Sequence, residues 1–152
     1  MFDEILGLPL HPLAVHAPVV LVPLSALGVI AMALVPRWSR RFGPVVALVA
    51  LAGAVSAFVA KESGEALRDN RIELGQQFPS DSHFTYGDLM PIFAGLLFLA
   101  ALGLWLLDRG TPGDRQRLIG TKIVAALGIV VAVASVYWVV RTGDSGARLV
   151  WG

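Results

Sequence analysis

Apolar residues fall in four long runs along the chain, at about residues 12–36, 44–60, 89–107 and 118–140, with polar stretches between them. A helix rises about 1.5 Å per residue and the hydrocarbon core of a bilayer is about 30 Å thick, so each run is long enough, or nearly so, to cross a membrane. The pattern predicts four transmembrane helices and an outer loop over 61–88. Pro12 suits a first helical turn, Pro18 and Pro23 lie inside the first run, and Pro36 closes it. Interior prolines free backbone carbonyls, which membranes tolerate where neighbouring helices cover them, so the first span is expected to be bent and centrally packed. The second run opens at Gly43-Pro44 and carries Ala50, Gly53, Ala54, Ala57 and Ala60, small residues that let helix backbones approach closely in lipid. Lys61 to Leu74 lacks proline and is expected to prolong that helix. The third span follows Pro91 and ends at Asp108. The fourth ends at Tyr137-Trp138, residue types favoured at headgroup depth.

Composition fits this reading. Of 152 residues, 56% are hydrophobic and 15% charged, too little polar surface for a soluble domain of this length. Four spans use nearly the whole chain, giving a single integral membrane domain, 1–152, of all-α class: a four-transmembrane-helix bundle. A net charge of +1 argues against nucleic acid as a partner. The absence of cysteine excludes disulfides, thiolate metal sites and iron–sulfur ligation. Met1 to Leu10 holds Asp3 and Glu4 and no basic residue, unlike a cleavable signal, so the first run is expected to be a retained span. Arg37, Arg40, Arg41, Arg109, Arg115, Arg117 and Lys122 concentrate in two short loops, 37–43 and 108–122. The positive-inside rule then puts those loops in the cytoplasm and both termini outside.

The chain also divides into two similar halves. The first reads His11-x4-His16, span, short basic loop, span, Ser63-Gly64. The second reads His83-x4-Asp88, span, short basic loop, span, Ser145-Gly146. Both halves start on the same face, so the repeat is one of parallel helical hairpins, unlike the inverted repeats of many transporters.

All three histidines, His11, His16 and His83, map to the outer interface, with Glu62, Glu65, Asp88, Asp144 and Arg141 in the same layer. Imidazoles and carboxylates at one depth suit a divalent metal or the iron of a haem, and imidazole titrates near neutral pH. His11 and His16 are five residues apart, about 140° around a regular helix, so both cannot face one ion unless His11 lies outside the helix. The preferred axial pair for a b-type haem is His16 with His83, with His11 either supporting a ligand from behind or serving as a third ligand. The alternative metal set is His11, His16, His83, Glu62, Glu65 and Asp88. Plainer roles compete with these: interfacial hydrogen bonding for the histidines, a solvated face for Glu62 and Glu65, a helix N-cap for Asp88, and a turn ending the fourth span at Thr142 to Gly146. Lys122 can snorkel to the interface, and no charge is expected at mid-depth, which argues against an ion channel. Ser25, Ser56 and Ser135 are expected to serve helix packing. No nucleophile–base pairing is readable, so no catalytic residue is assigned.

Leu8-Pro9-Leu10-His11-Pro12-Leu13-Ala14-Val15-His16-Ala17-Pro18 resembles the HPxxVHFPI opening of the bacterial membrane family catalogued as domain of unknown function 2231. His83 with Tyr86-Gly87-Asp88 resembles that family's second histidine region. Thr142 to Trp151 resembles its terminal TGxxGxxLVY-like segment. Ala17 stands in place of the family's usual Phe, and Asp144 in place of a frequent histidine. The resemblance implies a four-span bacterial inner-membrane protein, and the company such domains keep with electron-transfer modules adds weight to a redox role. Three functions are therefore carried forward. One is a haem- or metal-binding electron-transfer subunit; the second is a non-catalytic membrane anchor within a larger or homo-oligomeric assembly; the third is a small transporter component.

Overall fold

The computed structural model describes residues 4–5, 8–76, 82–110 and 117–151. A two-residue antiparallel ladder, β1 (Glu4–Ile5) with β2 (Leu8–Pro9), precedes the helices α1 (Leu10–Ala14), α2 (His16–Leu34), α3 (Pro36–Glu73), α4 (Ser82–Arg109) and α5 (Ile119–Trp151). The four long segments, with α1 and α2 together as one of them, are each apolar and long enough to cross a membrane. They form the expected all-α bundle. Helices α2, α3, α4 and α5 contact one another around a ring, and α2 also touches α4 across it. The first helix of each hairpin is thus central, as its prolines suggested for the first span.

The first span does break, at Val15, between α1 and α2. Pro18 explains the position: it has no N–H for the Ala14 carbonyl, and its ring crowds that carbonyl. Pro23 is carried inside α2. Pro36 ends one span and starts the next. Val35 before it is extended (φ −124°, ψ 94°) and Pro36 takes the first turn of α3, as X-Pro sterics favour. Segment 37–43 is therefore helix, where the sequence pattern suggested a loop. Two further expectations are corrected. Asp88 lies within α4 and does not cap it, because the helix already begins at Ser82. Thr142 to Gly146 continues α5 and does not form a turn. The extension of α3 beyond Lys61 holds as far as Glu73. It ends at Gly75, whose φ of +73° is easy only for glycine. There Gly75 N–H donates to Ile72 O and Gln76 N–H to Arg71 O, closing a Schellman motif.

The buried face of α4 reads Met90, Ala94, Leu97, Ala101, Leu104, Asp108, a spacing of four and three residues that keeps one seam on the partner helices. The same spacing on α3 buries Gly43, Ala47, Ala50, Gly53, Ala57 and Ala60, and α5 buries Thr121, Ala125, Ala132, Ser135 and Val139. The second helix of each hairpin thus offers a small-residue seam to the larger side chains of α2 and α4. Large apolar side chains point outward, Leu27 (66% exposed), Leu48 (65%) and Val130 (64%) among them. Such a surface is stable against lipid and unfavourable in water.

Ser25 and Ser135 are buried and donate to the carbonyls of Leu21 and Val131 one turn earlier; Ser135 also reaches Phe93 O at 3.3 Å, bridging α5 to α4. At the end of the bundle carrying Val35, a buried ion pair joins Asp108 to Arg117, Nη2 to Oδ2 at 2.5 Å and Nε to Oδ1 at 2.9 Å. The same guanidinium donates to the carbonyls of Met32 (2.7 Å) and Ala33. Those carbonyls belong to the last turn of α2, which lacks helical donors of its own. The sequence pattern places both residues in the 108–122 loop.

Candidate functional site

The opposite end of the bundle gathers His11 from α1 and His83 from α4, with ring centroids 6.2 Å apart and planes at 79°. Each ring is half-buried and held in the same way. His11 Nδ1 lies 2.9 Å from Ala60 O and 3.4 Å from Ser63 Oγ, while Ser63 Oγ donates to Ala60 O at 3.0 Å. His83 Nδ1 lies 3.1 Å from both Thr142 O and Ser145 Oγ, while Ser145 Oγ donates to Thr142 O at 2.9 Å. A carbonyl can only accept, so Nδ1 carries a proton in both rings, and in the neutral form of each ring Nε2 is the nitrogen with the lone pair.

Each ring also rests on a glycine. A Cβ built on Gly64 would stand 2.9 Å from His11 Cε1, and one on Gly146 would stand 2.9 Å from His83 Cε1. The sequence markers His11…Ser63-Gly64 and His83…Ser145-Gly146 are therefore two copies of one clasp. Each clasp ties the first segment of a hairpin to the second helix of the same hairpin. This match gives the proposed tandem repeat a structural basis.

The remaining residues of the predicted polar layer lie elsewhere. His16 is exposed at the start of α2 and does not join the pair; the structure brings His11, not His16, to His83. Glu65, Glu62 and Asp88 surround Lys61 Nζ at 2.6, 3.6 and 3.7 Å. Asp144 pairs with Arg148 at 3.1 Å, and Arg141 donates to Tyr86 Oη at 2.7 Å. Among the described residues no group of three or more His, Asp or Glu stands together as a metal cage. Lys61, Ser63, Ser145 and the two glycines were not singled out as site residues. The signal for Lys61 was available in its spacing of four from Glu65, a helical ion-pair register.

A family model described as a predicted membrane protein, domain of unknown function 2231, matches residues 7–152. The chain belongs to this family. No curated protein and no solved structure matches it. Within this domain of unknown function 2231 chain, the sequence stretches that carried the resemblance are the ones that meet in space. The opening motif supplies His11, the second histidine region supplies His83, and the terminal segment supplies Thr142, Ser145 and Gly146.

Proposed function

We propose that the protein is a membrane subunit that holds a b-type haem through His11 and His83 and passes electrons at its histidine-bearing end. The observation that carries the reading is the doubled clasp. Both Nδ1–H groups are tied to backbone carbonyls, the usual way a protein fixes the tautomer and orientation of a metal-binding imidazole. Haem iron needs only two axial donors from the protein, and two neutral imidazoles supply that set. A bare divalent ion asks for about four protein or water donors, and the carboxylates once offered to it are engaged by Lys61. Bound haem would supply one-electron exchange between ferrous and ferric iron; the clasps would hold the two rings with Nε2 as the ligating nitrogen. The basic residues at the far end favour an inner-membrane orientation with both termini outside, which would put the histidines on the outer face, near an electron-transfer partner.

The test is an absorbance spectrum, oxidised and reduced, of protein purified from a haem-replete membrane. A Soret band that is lost in His11→Ala and His83→Ala but kept in His16→Ala is the expected result. A haem-replete preparation with no Soret band overturns the reading.

A second reading has its own support. Both rings lie against glycines, as packed structural groups do, so the histidines would act as staples of an anchor or assembly subunit. In that case His11→Ala and His83→Ala lower the unfolding temperature while the wild-type protein is colourless.

A further inference from the structure

At the end of the bundle remote from the histidines, a groove of about 390 Å³ runs between α2 and α3. Its walls include Leu24, Leu27 and Ala31 from α2 and Trp38, Phe42 and Val45 from α3. Residues 24–32 of α2 extend over about 12 Å and 38–49 of α3 over about 16 Å, so the groove is about as deep as one leaflet of the hydrocarbon core. It opens on the lipid-facing surface, where Leu24, Leu27, Trp38, Phe42 and Val45 are all exposed.

Arginines flank the groove-lining residues Trp38 and Phe42 along α3. Arg37 and Arg41 are one helical turn apart, and Arg41 shares the face of Trp38 and Val45 by its spacing of three and four residues. The Arg41 guanidinium lies 5.3 Å from the centroid of the Phe42 ring, a wall of the groove. Among the described residues no carboxylate pairs with Arg37, Arg40 or Arg41, whereas Arg117 at the same end is fully engaged by Asp108 and two carbonyls. Guanidinium groups with no carboxylate partner among the described residues, beside an apolar slot of leaflet depth, match an amphiphile with an anionic head and a hydrocarbon tail.

We infer that this groove binds an anionic phospholipid of the surrounding bilayer, with one acyl chain between α2 and α3 and the phosphate at Arg37 and Arg41. Guanidinium is suited to this task because its planar donor fork matches phosphate oxygens. The inference is independent of the haem reading, since it concerns the other end of the bundle.

The test is native mass spectrometry of the detergent-purified full chain, with added phosphatidylglycerol or phosphatidylcholine of identical acyl chains. Wild type should retain one phosphatidylglycerol per chain in preference to phosphatidylcholine, by about fivefold for each arginine engaged. Arg37→Gln/Arg41→Gln should abolish that preference, and Ala31→Phe, which fills the slot, should reduce retention of both lipids. Arg109→Gln is the control: Arg109 is at the same end but ends α4, which lines no part of the groove, so selectivity should persist. Equal retention of the two lipids by wild type overturns the inference. So does a loss in Arg109→Gln as large as in the double variant, which would reduce the effect to a diffuse positive field. A dimer that Ala31→Phe dissociates, with no lipid retained, would give the groove to a second copy of the chain and also overturn it.

Discussion

Gly143 and Gly146 sit three residues apart in α5, and replacing each with alanine should change stability in opposite directions. At Gly143 an added Cβ meets nothing within 4 Å. The substitution only removes the helix penalty of glycine, a gain of about 1 kcal/mol. At Gly146 the same gain is opposed by the His83 ring. The new Cβ would stand 2.9 Å from Cε1, so the ring must retreat by about 0.5 Å to reach ordinary contact at 3.4 Å. That movement stretches the 3.1 Å bond from Nδ1 to Thr142 O beyond hydrogen-bonding range. A lost hydrogen bond costs about 0.5–1.5 kcal/mol and crowding in a packed site about 1–3 kcal/mol. Gly146→Ala should therefore destabilise the fold, leaving the two variants about 1.5–4.5 kcal/mol apart. Unfolding of detergent-solubilised protein in a graded denaturing detergent, followed by far-UV circular dichroism, measures the difference. Gly64→Ala should behave like Gly146→Ala, because His11 Cε1 and Nδ1 lie 2.9 and 3.0 Å from its Cβ position. If Gly146→Ala proves as stabilising as Gly143→Ala, His83 is not held against α5 and the clasp does not exist.

Asp108→Ala should cost about 3–5 kcal/mol in the same assay, since it strands the Arg117 charge in a buried setting; the double variant Asp108→Leu/Arg117→Met should lie closer to wild type than either single change, and strict additivity would count against a coupled pair. Ser39 is fully buried and its hydroxyl has no hydrogen-bond partner among the described residues, so Ser39→Ala should be neutral or stabilising by about 1 kcal/mol, and a clear loss would mean that the hydroxyl is engaged. Lys61→Met should weaken the fold by about 1 kcal/mol or less, because its carboxylate partners are substantially exposed; the deficit should shrink when salt screens the repulsion left among Glu62, Glu65 and Asp88, and a salt-independent loss would argue for packing of the lysine stem instead.

The number of spans and their division into hairpins were legible because lipid imposes one rule on every segment: a long apolar run bounded by polar residues. Proline punctuation was partly legible. Pro36 marks a helix boundary by sterics that any X-Pro pair shows, whereas the break at Val15 depends on the proline three residues later. Asp108 was misread as the start of a loop, although it falls four residues after Leu104 on the seam that already carries Ala94, Leu97 and Ala101. Its burial required knowing that Arg117, nine residues on, folds back to meet it. The choice between His11 and His16 was not legible. Helical spacing separates them by about 140° but does not say which faces inward; that is decided by the short helix α1, which lies against α3 and lets His11 reach Ala60. Carboxylates at one depth were legible as a layer, but a layer does not reveal ownership, and one ammonium, Lys61, holds three of them.

The two ends of the bundle differ in how they are tied together, and the difference bears on what each end can do. Helices in lipid gain nothing from hiding apolar surface, so close packing and polar ties set their arrangement. At the histidine end the ties are local and repeated: each hairpin closes its own open end with the same imidazole, serine and glycine. The two clasps then meet at 6.2 Å as near equivalents. At the other end a tie crosses between hairpins, from Arg117 in the second to the α2 carbonyls in the first. The first hairpin turns at the Val35-Pro36 corner, with the groove between α2 and α3 beside it, whereas the second has its helices ending at Arg109 and resuming at Ile119. A centre bound between equivalent hairpins, as proposed, would meet two donors held by the same bonds. An asymmetric amphiphile needs the opposite, one slot with one charged mouth.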